Sequence, residues 1–269
     1  MKKISLKQNT IFIFDSGLGG ITIFNYIKNI FFNINFIYLL DNKYFPYGNK
    51  SSNFILKRLI KILEKISNNY NISLAIIACN TASVSSLPNI RNYFNFPIIG
   101  VTPAIDLAIK KTKNNVIGLL ATHTTIKNNK IKEKINFLKK KYEIKIISSS
   151  KLVFLAEKKL LGYKIVINDI KKIFNSWFNL TIFPDTIILG CTHFPLILNE
   201  LKIIFPQNTY FLDSKKNIVL KFKKNINSNK TILKKKNNII FYTKKNKYIN
   251  KIKILFLNQG FKDILNLKI

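Results

Sequence analysis

The chain has 269 residues and carries 45 Lys and Arg against 12 Asp and Glu, a formal net charge of +33. Its 47% hydrophobic content, with 22 Phe and 11 Tyr, is enough for a sizeable core and excludes intrinsic disorder despite the charge. Two cysteines exclude a disulfide scaffold, and no apolar run approaches the ~20 residues of a membrane span.

The basic start Met1-Lys2-Lys3 leads to an apolar stretch, 11–14, that is too short for a signal core and ends at Asp15. A cytoplasmic globular protein of one large or two smaller domains is expected. In chain order, apolar runs of strand length fall at 11–14, 36–40, 74–78, 116–120, 144–147, 186–189 and 239–242. Several are apolar throughout, as strands buried on both faces of a sheet are. Between them, 51–66, 83–94, 126–141, 151–160 and 165–178 repeat apolar residues at three and four with lysines opposite, the pattern of helices. Ser51-Ser52, Ser83 and Asp213-Ser214 are the expected N-caps, and the Asn-rich pieces 225–229 and 237–238 read as loops. Strand–helix alternation predicts an α/β protein with mainly parallel sheets.

The charge has two readings. One is nucleic-acid binding. The other is compositional drift, because Lys, Asn, Ile, Phe and Tyr share A/T-rich codons while Gly, Pro and Arg are scarce. Arginine, the preferred residue for reading guanine and gripping phosphate, occurs only at Arg58 and Arg91, which favours drift. Nucleic acid is then expected only as a non-specific polyanion. Drift makes the acids informative. Asp15, Asp41, Glu157 and Asp213 lie beside short stretches of unusual composition, whereas the others read as helix surfaces, helix ends or strand starts.

One faint internal repeat stands out. Ile76-Ile77-Ala78-Cys79-Asn80-Thr81 resembles Ile188-Leu189-Gly190-Cys191-Thr192-His193 about one domain length later. Each places a cysteine between an apolar strand and an apparent helix, at the strand end where open α/β sheets form their sites. The positive helix end favours thiolate there, which could act as nucleophile or general base. Two ordinary core cysteines are the plain alternative. A disulfide is disfavoured in a cytosolic protein, and no ligand-pair spacing supports zinc. Acid/base groups on opposite faces of one carbon suggest stereochemical inversion, with His193 placed to tune Cys191. The turn Ser16-Gly17-Leu18-Gly19-Gly20 after Asp15 suits an anionic ligand such as a phosphate or carboxylate, but it lacks P-loop and GxGxxG spacing.

Taken together, Phe14-Asp15-Ser16-Gly17-Leu18-Gly19-Gly20, Asp41 with Phe45-Pro46-Tyr47-Gly48, Ala78-Cys79-Asn80-Thr81-Ala82, Gly100-Val101-Thr102-Pro103-Ala104-Ile105 and Leu189-Gly190-Cys191-Thr192-His193-Phe194-Pro195-Leu196 resemble the glutamate racemase family in order and spacing. The likeness extends over roughly residues 10–265. It implies cofactor-independent interconversion of L- and D-glutamate by two bases, with no metal. Cys79 resembles the base serving the D enantiomer and Cys191 the base serving the L enantiomer. Asp15 resembles the auxiliary beside Cys79, His193 the one beside Cys191, and Glu157 a carboxylate near that histidine. Asp15, Ser16, Tyr47, Gly48, Asn80, Thr81, Thr192 and His193 match substrate-binding segments, and Thr124 adds a hydroxyl.

The resemblance also implies two similar α/β/α domains with the active site in the cleft between them. Residues 1–98 plus 213–269 would carry Asp15 and Cys79, and 99–212 would carry Cys191 and His193. A homodimer supplying D-glutamate for peptidoglycan is implied as well. The sequence departs from the family after Thr124, at Thr102 and at 148–150, none of which touches the acid/base set. An aspartate-type racemase on the same scaffold is the near alternative. A decayed, lysine-rich nucleic-acid binder is the distant one.

Overall fold

The computed structural model of the protein describes residues 10–31, 34–225 and 237–269. The chain begins with β1 (Thr10–Asp15), α1 (Ile21–Lys28), β2 (Asn35–Leu40), α2 (Ser52–Asn69), β3 (Leu74–Ile77), α3 (Asn80–Ile90) and β4 (Ile98–Gly100). It continues through α4 (Ile105–Lys111), β5 (Val116–Ala121), α5 (His123–Lys127), α6 (Asn129–Leu138), β6 (Glu143–Ser148), α7 (Ser150–Leu160), α8 (Ile167–Lys171), α9 (Asn175–Phe178), β7 (Thr186–Gly190), α10 (Leu198–Ile204) and β8 (Tyr210–Leu212). It returns through α11 (Lys215–Asn225), β9 (Asn238–Tyr242), α12 (Ile249–Asn258) and β10 (Phe261–Asn266).

The strands form two sheets, ordered β10-β9-β2-β1-β3-β4 and β6-β5-β7-β8, and every neighbouring pair is parallel. The alternation of β1 builds the two cores on either face of the first sheet. Ile11 and Ile13 face a core shared with Phe24 of α1, Phe222 of α11 and Phe256 of α12. Phe12 and Phe14 face the opposite core, filled by Leu59 and Leu63 of α2 and Ile90 of α3. The second sheet repeats this. Leu120, Ile187 and Leu189 pack on α7 and α8, while Leu119 and Ile188 pack on α4 and α6. Each sheet is thus covered on both faces, the arrangement that apolar parallel strands require.

The strand orders place the sites. In the first sheet the chain steps from β1 outward to β2, then crosses back to β3 on the other side of β1. The second sheet does the same from β5 to β6 and back to β7. Such reversals open a crevice at the carboxyl ends of the flanking strands. Asp15 and Cys79 stand at the first crevice, and Thr122 and Cys191 at the second.

Several local expectations change. Ser51 caps α2 as expected, accepting the Phe54 N–H at 3.2 Å. Ser83 does not cap. α3 starts earlier, with Cys79 as its N-cap and the Ser83 hydroxyl donating to Ile77 O at 2.8 Å. The cause is that polar Asn80 and Thr81 are buried in the first turn, which hides the helix start from an apolar pattern. The helix expected over 126–141 is two helices, because Asn128 turns extended and caps α6. The one expected over 165–178 passes from α8 through a 3-10 turn into α9. Asp213 accepts the Lys215 N–H at the start of α11, where Ser214 O accepts the Ile218 N–H and the Ser214 hydroxyl donates to Thr102 O. Asn238 opens β9 rather than a loop, and its Oδ1 accepts the Phe36 N–H at 2.9 Å. Of 225–229, Asn225 ends α11 and the rest lies outside the described residues. Among the described residues no helix is long and apolar enough to cross a membrane.

Candidate active site

β1 delivers Asp15 wholly buried at the head of the glycine-rich turn. Its Oδ1 accepts the Gly17 N–H at 3.0 Å, and its Oδ2 accepts the Thr192 hydroxyl at 3.0 Å from the second half of the molecule. Burial raises the Asp15 pKa above the ordinary carboxylate value. His193 and the bonds from Gly17 and Thr192 oppose that rise, and Glu157 adds to it.

Cys79 ends the β3 crossover, with its Sγ 3.7 Å from Ser16 Oγ. The expectation that its helix end would favour thiolate is overturned. Burial, followed by the charge of Asp15, pushes the thiol far above its ordinary value, outweighing the Ala82 N–H. Desolvation of a buried sulfur exceeds what one helix turn returns.

Cys191 follows β7 and meets a different partner. Its Sγ lies 3.7 Å from His193 Nδ1, and His193 Nε2 lies 3.0 Å from Glu157 Oε1 on α7. The same Glu157 oxygen accepts the Leu18 N–H at 2.6 Å, tying α7 to the glycine-rich turn. Nε2 is also 3.2 Å from the Gly19 N–H. It can accept that bond or donate to Glu157, and the carboxylate favours donation. Burial alone would lower the His193 pKa, but bonds and charges from Cys191 and Glu157 outweigh it and hold the imidazolium well above its ordinary value.

The glycines of the turn are dictated by space. A β-carbon on Gly17 would collide with Glu157 Oε1, and one on Gly19 would sit 2.6 Å from His193 Nδ1. Around the cleft, Asn80 is buried and its Nδ2 has no partner among the described residues, leaving an amide donor free for a ligand. Thr81, Thr122 and Thr125 form a buried hydroxyl cluster with contacts of 2.8, 2.9 and 3.3 Å. Thr124, the hydroxyl expected from the sequence, lies outside this cluster, whose Thr122 and Thr125 have no local sequence signal. Thr124 spends its hydroxyl on Gly48 O and Lys50 O, at 2.8 and 3.0 Å, joining the Tyr47–Asn49 turn to α5. Packing of Gly48 against Thr122, where a β-carbon would find Thr122 Cβ at 2.8 Å, is the signal that identifies Thr122.

The remaining expected residues gather here. Ser16, Tyr47, Gly48, Asn80, Thr81, Thr192 and His193 are all buried around the two crevices. Asp41 lies beside Asp15, while Asp213 pairs with Lys215 at 2.9 Å ahead of α11. Among the described residues no group of three or more His, Cys, Asp or Glu is arranged to hold a metal ion.

Two thiols with distinct acid/base partners, joined across one cleft, define an α/β protein built for proton transfer. Comparison agrees with that class, since residues 38–214 match the family model described as Asp/Glu/Hydantoin racemase. A glutamate racemase from Pectobacterium atrosepticum is 44% identical over 76% of this chain and 72% of its own length. One from Buchnera aphidicola subsp. Schizaphis graminum is 48% identical over 79% of this chain and 83% of its own. The crystal structure of Escherichia coli glutamate racemase, in complex with L-glutamate and the activator UDP-MurNAc-Ala, superposes with a TM-score of 0.90 at 35% identity, over 97% of this chain and 98% of that one. The chain belongs to the glutamate racemase family.

Proposed function

We propose that the protein interconverts L- and D-glutamate without a cofactor, by proton transfer through Cys191 and Cys79. The observation that carries this reading is the placement of two buried thiols at equivalent crevices of two sheets, each with its own partner group. For L-glutamate, the Cα–H bond breaks and an S–H bond forms at Cys191, while the electron pair is held on Cα and its carboxylate. The Cys79 S–H bond then breaks, and a new Cα–H bond forms on the opposite face, giving the D enantiomer. The reverse direction exchanges the two roles.

The electrostatics support this order. Burial and Asp15 keep Cys79 a thiol, ready to donate. His193, held as imidazolium against Glu157, presents positive charge to Cys191. Amide, hydroxyl and backbone donors from Ser16, Asn80, Thr81 and Thr192 suit the substrate carboxylates, and a dry cleft strengthens each such bond. Asp15 serves as the auxiliary of Cys79, and Tyr47, Gly48 and Thr124 line the substrate side.

The reading extends to two domains, 1–98 plus 213–269 and 99–212. The first boundary falls inside β4, so the chain leaves the first sheet only after Gly100. It extends also to a cytoplasmic homodimer that supplies D-glutamate for peptidoglycan and meets nucleic acid only as a polyanion. Family membership supports this extension.

The test is conversion of L- to D-glutamate by purified protein without added cofactor, with aspartate as comparison. Cys79→Ser and Cys191→Ser should each abolish racemisation. Near-normal turnover in both directions by either variant would overturn the two-base assignment, and faster turnover of aspartate would overturn the substrate.

A further inference from the structure

Among the described residues Asp15 and Asp41 are the two wholly buried acids, and the proton transfers do not use Asp41. It follows β2 beside Asp15, whose carbonyl accepts the Asp41 N–H at 3.0 Å. Four donors converge on its carboxylate. Tyr47 Oη at 2.6 Å and Arg58 Nε at 3.0 Å reach Oδ2, while Arg58 Nη2 at 2.8 Å and Thr243 Oγ1 at 2.7 Å reach Oδ1. Tyr47 leads directly into Gly48, which packs on Thr122 across the cleft. The Tyr47 ring is enclosed between Phe14 and Phe54, so its remaining freedom is set by the hydroxyl bond to Asp41.

A buried ion pair is a poor device for stability, because desolvation of both charges offsets most of their attraction. What it fixes is geometry. The guanidinium meets both carboxylate oxygens, with Nε on one and Nη2 on the other. The Tyr44 ring, 4.9 Å from Cζ, covers its face. A lysine offers one nitrogen and cannot reproduce that fork. In a chain with 45 Lys and Arg, of which only Arg58 and Arg91 are arginine, this is a position where guanidinium shape is in use.

We propose that Arg58 is a positioning residue for substrate binding: through Asp41 its two-pronged bond fixes the Tyr47 hydroxyl, and with it the Tyr47–Gly48 wall of the cleft. The proposal rests on the reading of that wall as part of the glutamate site.

The experiment is a double-mutant cycle on the whole protein with Arg58→Lys, Tyr47→Phe and both together. KM and kcat for each enantiomer and the thermal midpoint are measured for every variant. Arg58→Lys keeps the charge and loses the fork, so KM should rise about tenfold in both directions with kcat within about twofold. Because both residues act through one carboxylate, the double variant should bind no worse than the weaker single variant. A KM for Arg58→Lys within about twofold of the parent, or losses that multiply in the double variant, would overturn the proposal. A lowered midpoint with unchanged KM would also overturn it, marking the pair as structural only. Failure of the glutamate reading would show differently, as a parent protein that does not turn glutamate over, and would remove both claims.

Discussion

Gly19 sits where the glycine-rich turn meets the segment after Cys191. An alanine β-carbon there would stand 2.6 Å from His193 Nδ1, 2.7 Å from Thr192 Oγ1 and 2.8 Å from the His193 backbone nitrogen, where ordinary contact begins near 3.4 Å. None of these atoms gives way easily. Thr192 Oγ1 is bonded to Asp15, His193 is held between Cys191 and Glu157, and the third atom is main chain. The segment must therefore retreat by roughly 0.6–0.8 Å, taking His193 from Cys191 and Thr192 from Asp15 together. Overpacking of this kind costs about 1–3 kcal/mol of stability. Misplacing a proton-transfer group by close to an ångström costs on the order of 100-fold in turnover.

Gly19→Ala should accordingly remain folded and lose about 100-fold in kcat in both directions. The assay is initial-rate racemisation from each enantiomer alongside thermal denaturation by circular dichroism. Gly162→Ala is the matched comparison. Gly162 has φ +80 with open space around its β position, so the same atom added there strains only the local backbone. It should cost about 1–2 kcal/mol and leave turnover unchanged. If Gly19→Ala turned over within about threefold of the parent, the contact geometry assigned to His193 and Thr192 would be wrong.

Other consequences follow from the charges. Glu157→Gln removes the carboxylate that helps hold the His193 imidazolium, so the alkaline limb of kcat/KM for L-glutamate should move to lower pH, and an unmoved limb would contradict the relay. The stability lent by the raised His193 is fully present below its ordinary 6.5 and is lost as pH rises through the folded value, so the variant's loss of stability should be largest at low pH and should vanish once pH passes the parent's folded value. Asp15 has a raised folded pKa for a buried acid, so its ionisation weakens the fold as pH climbs past the ordinary 3.8. Asp15→Asn should raise the thermal midpoint at neutral pH while reducing turnover, and a fall in midpoint would refute the sign. With a net charge of +33, an anionic substrate should be drawn to the protein, and its KM should rise with salt. A KM flat with ionic strength would leave the charge without functional effect.

How much was legible beforehand follows from range along the chain. β1, β2, β3, β5 and β7 were readable because strands covered on both faces are apolar throughout. β4 and β8 are three residues each at sheet edges, too short for any period to register. β10 is mostly exposed and carries Lys262 and Asp263, so nothing in its composition marks a buried strand. The cysteines and their neighbours were legible because each motif is contiguous. Asp15 with Thr192, Leu18 with Glu157 and Arg58 with Asp41 were not, since those pairs are made by folding and leave no local pattern. Thr122 illustrates the limit. Both it and Thr124 meet Gly48, but only the Thr122 hydroxyl of the two reaches Thr81 across the cleft, a fact of tertiary packing.

The central claim is that two different sulfurs handle the α-proton on opposite faces. Racemisation of protiated L-glutamate in deuterated water tests it most directly. At early times the D-glutamate formed should carry deuterium at Cα while the unreacted L-glutamate remains protiated, because the donor at Cys79 takes its hydrogen from solvent and the acceptor at Cys191 keeps what it removed. D-glutamate that retained the substrate proton would mean that one group both removes and returns it, and the two-base account would be wrong.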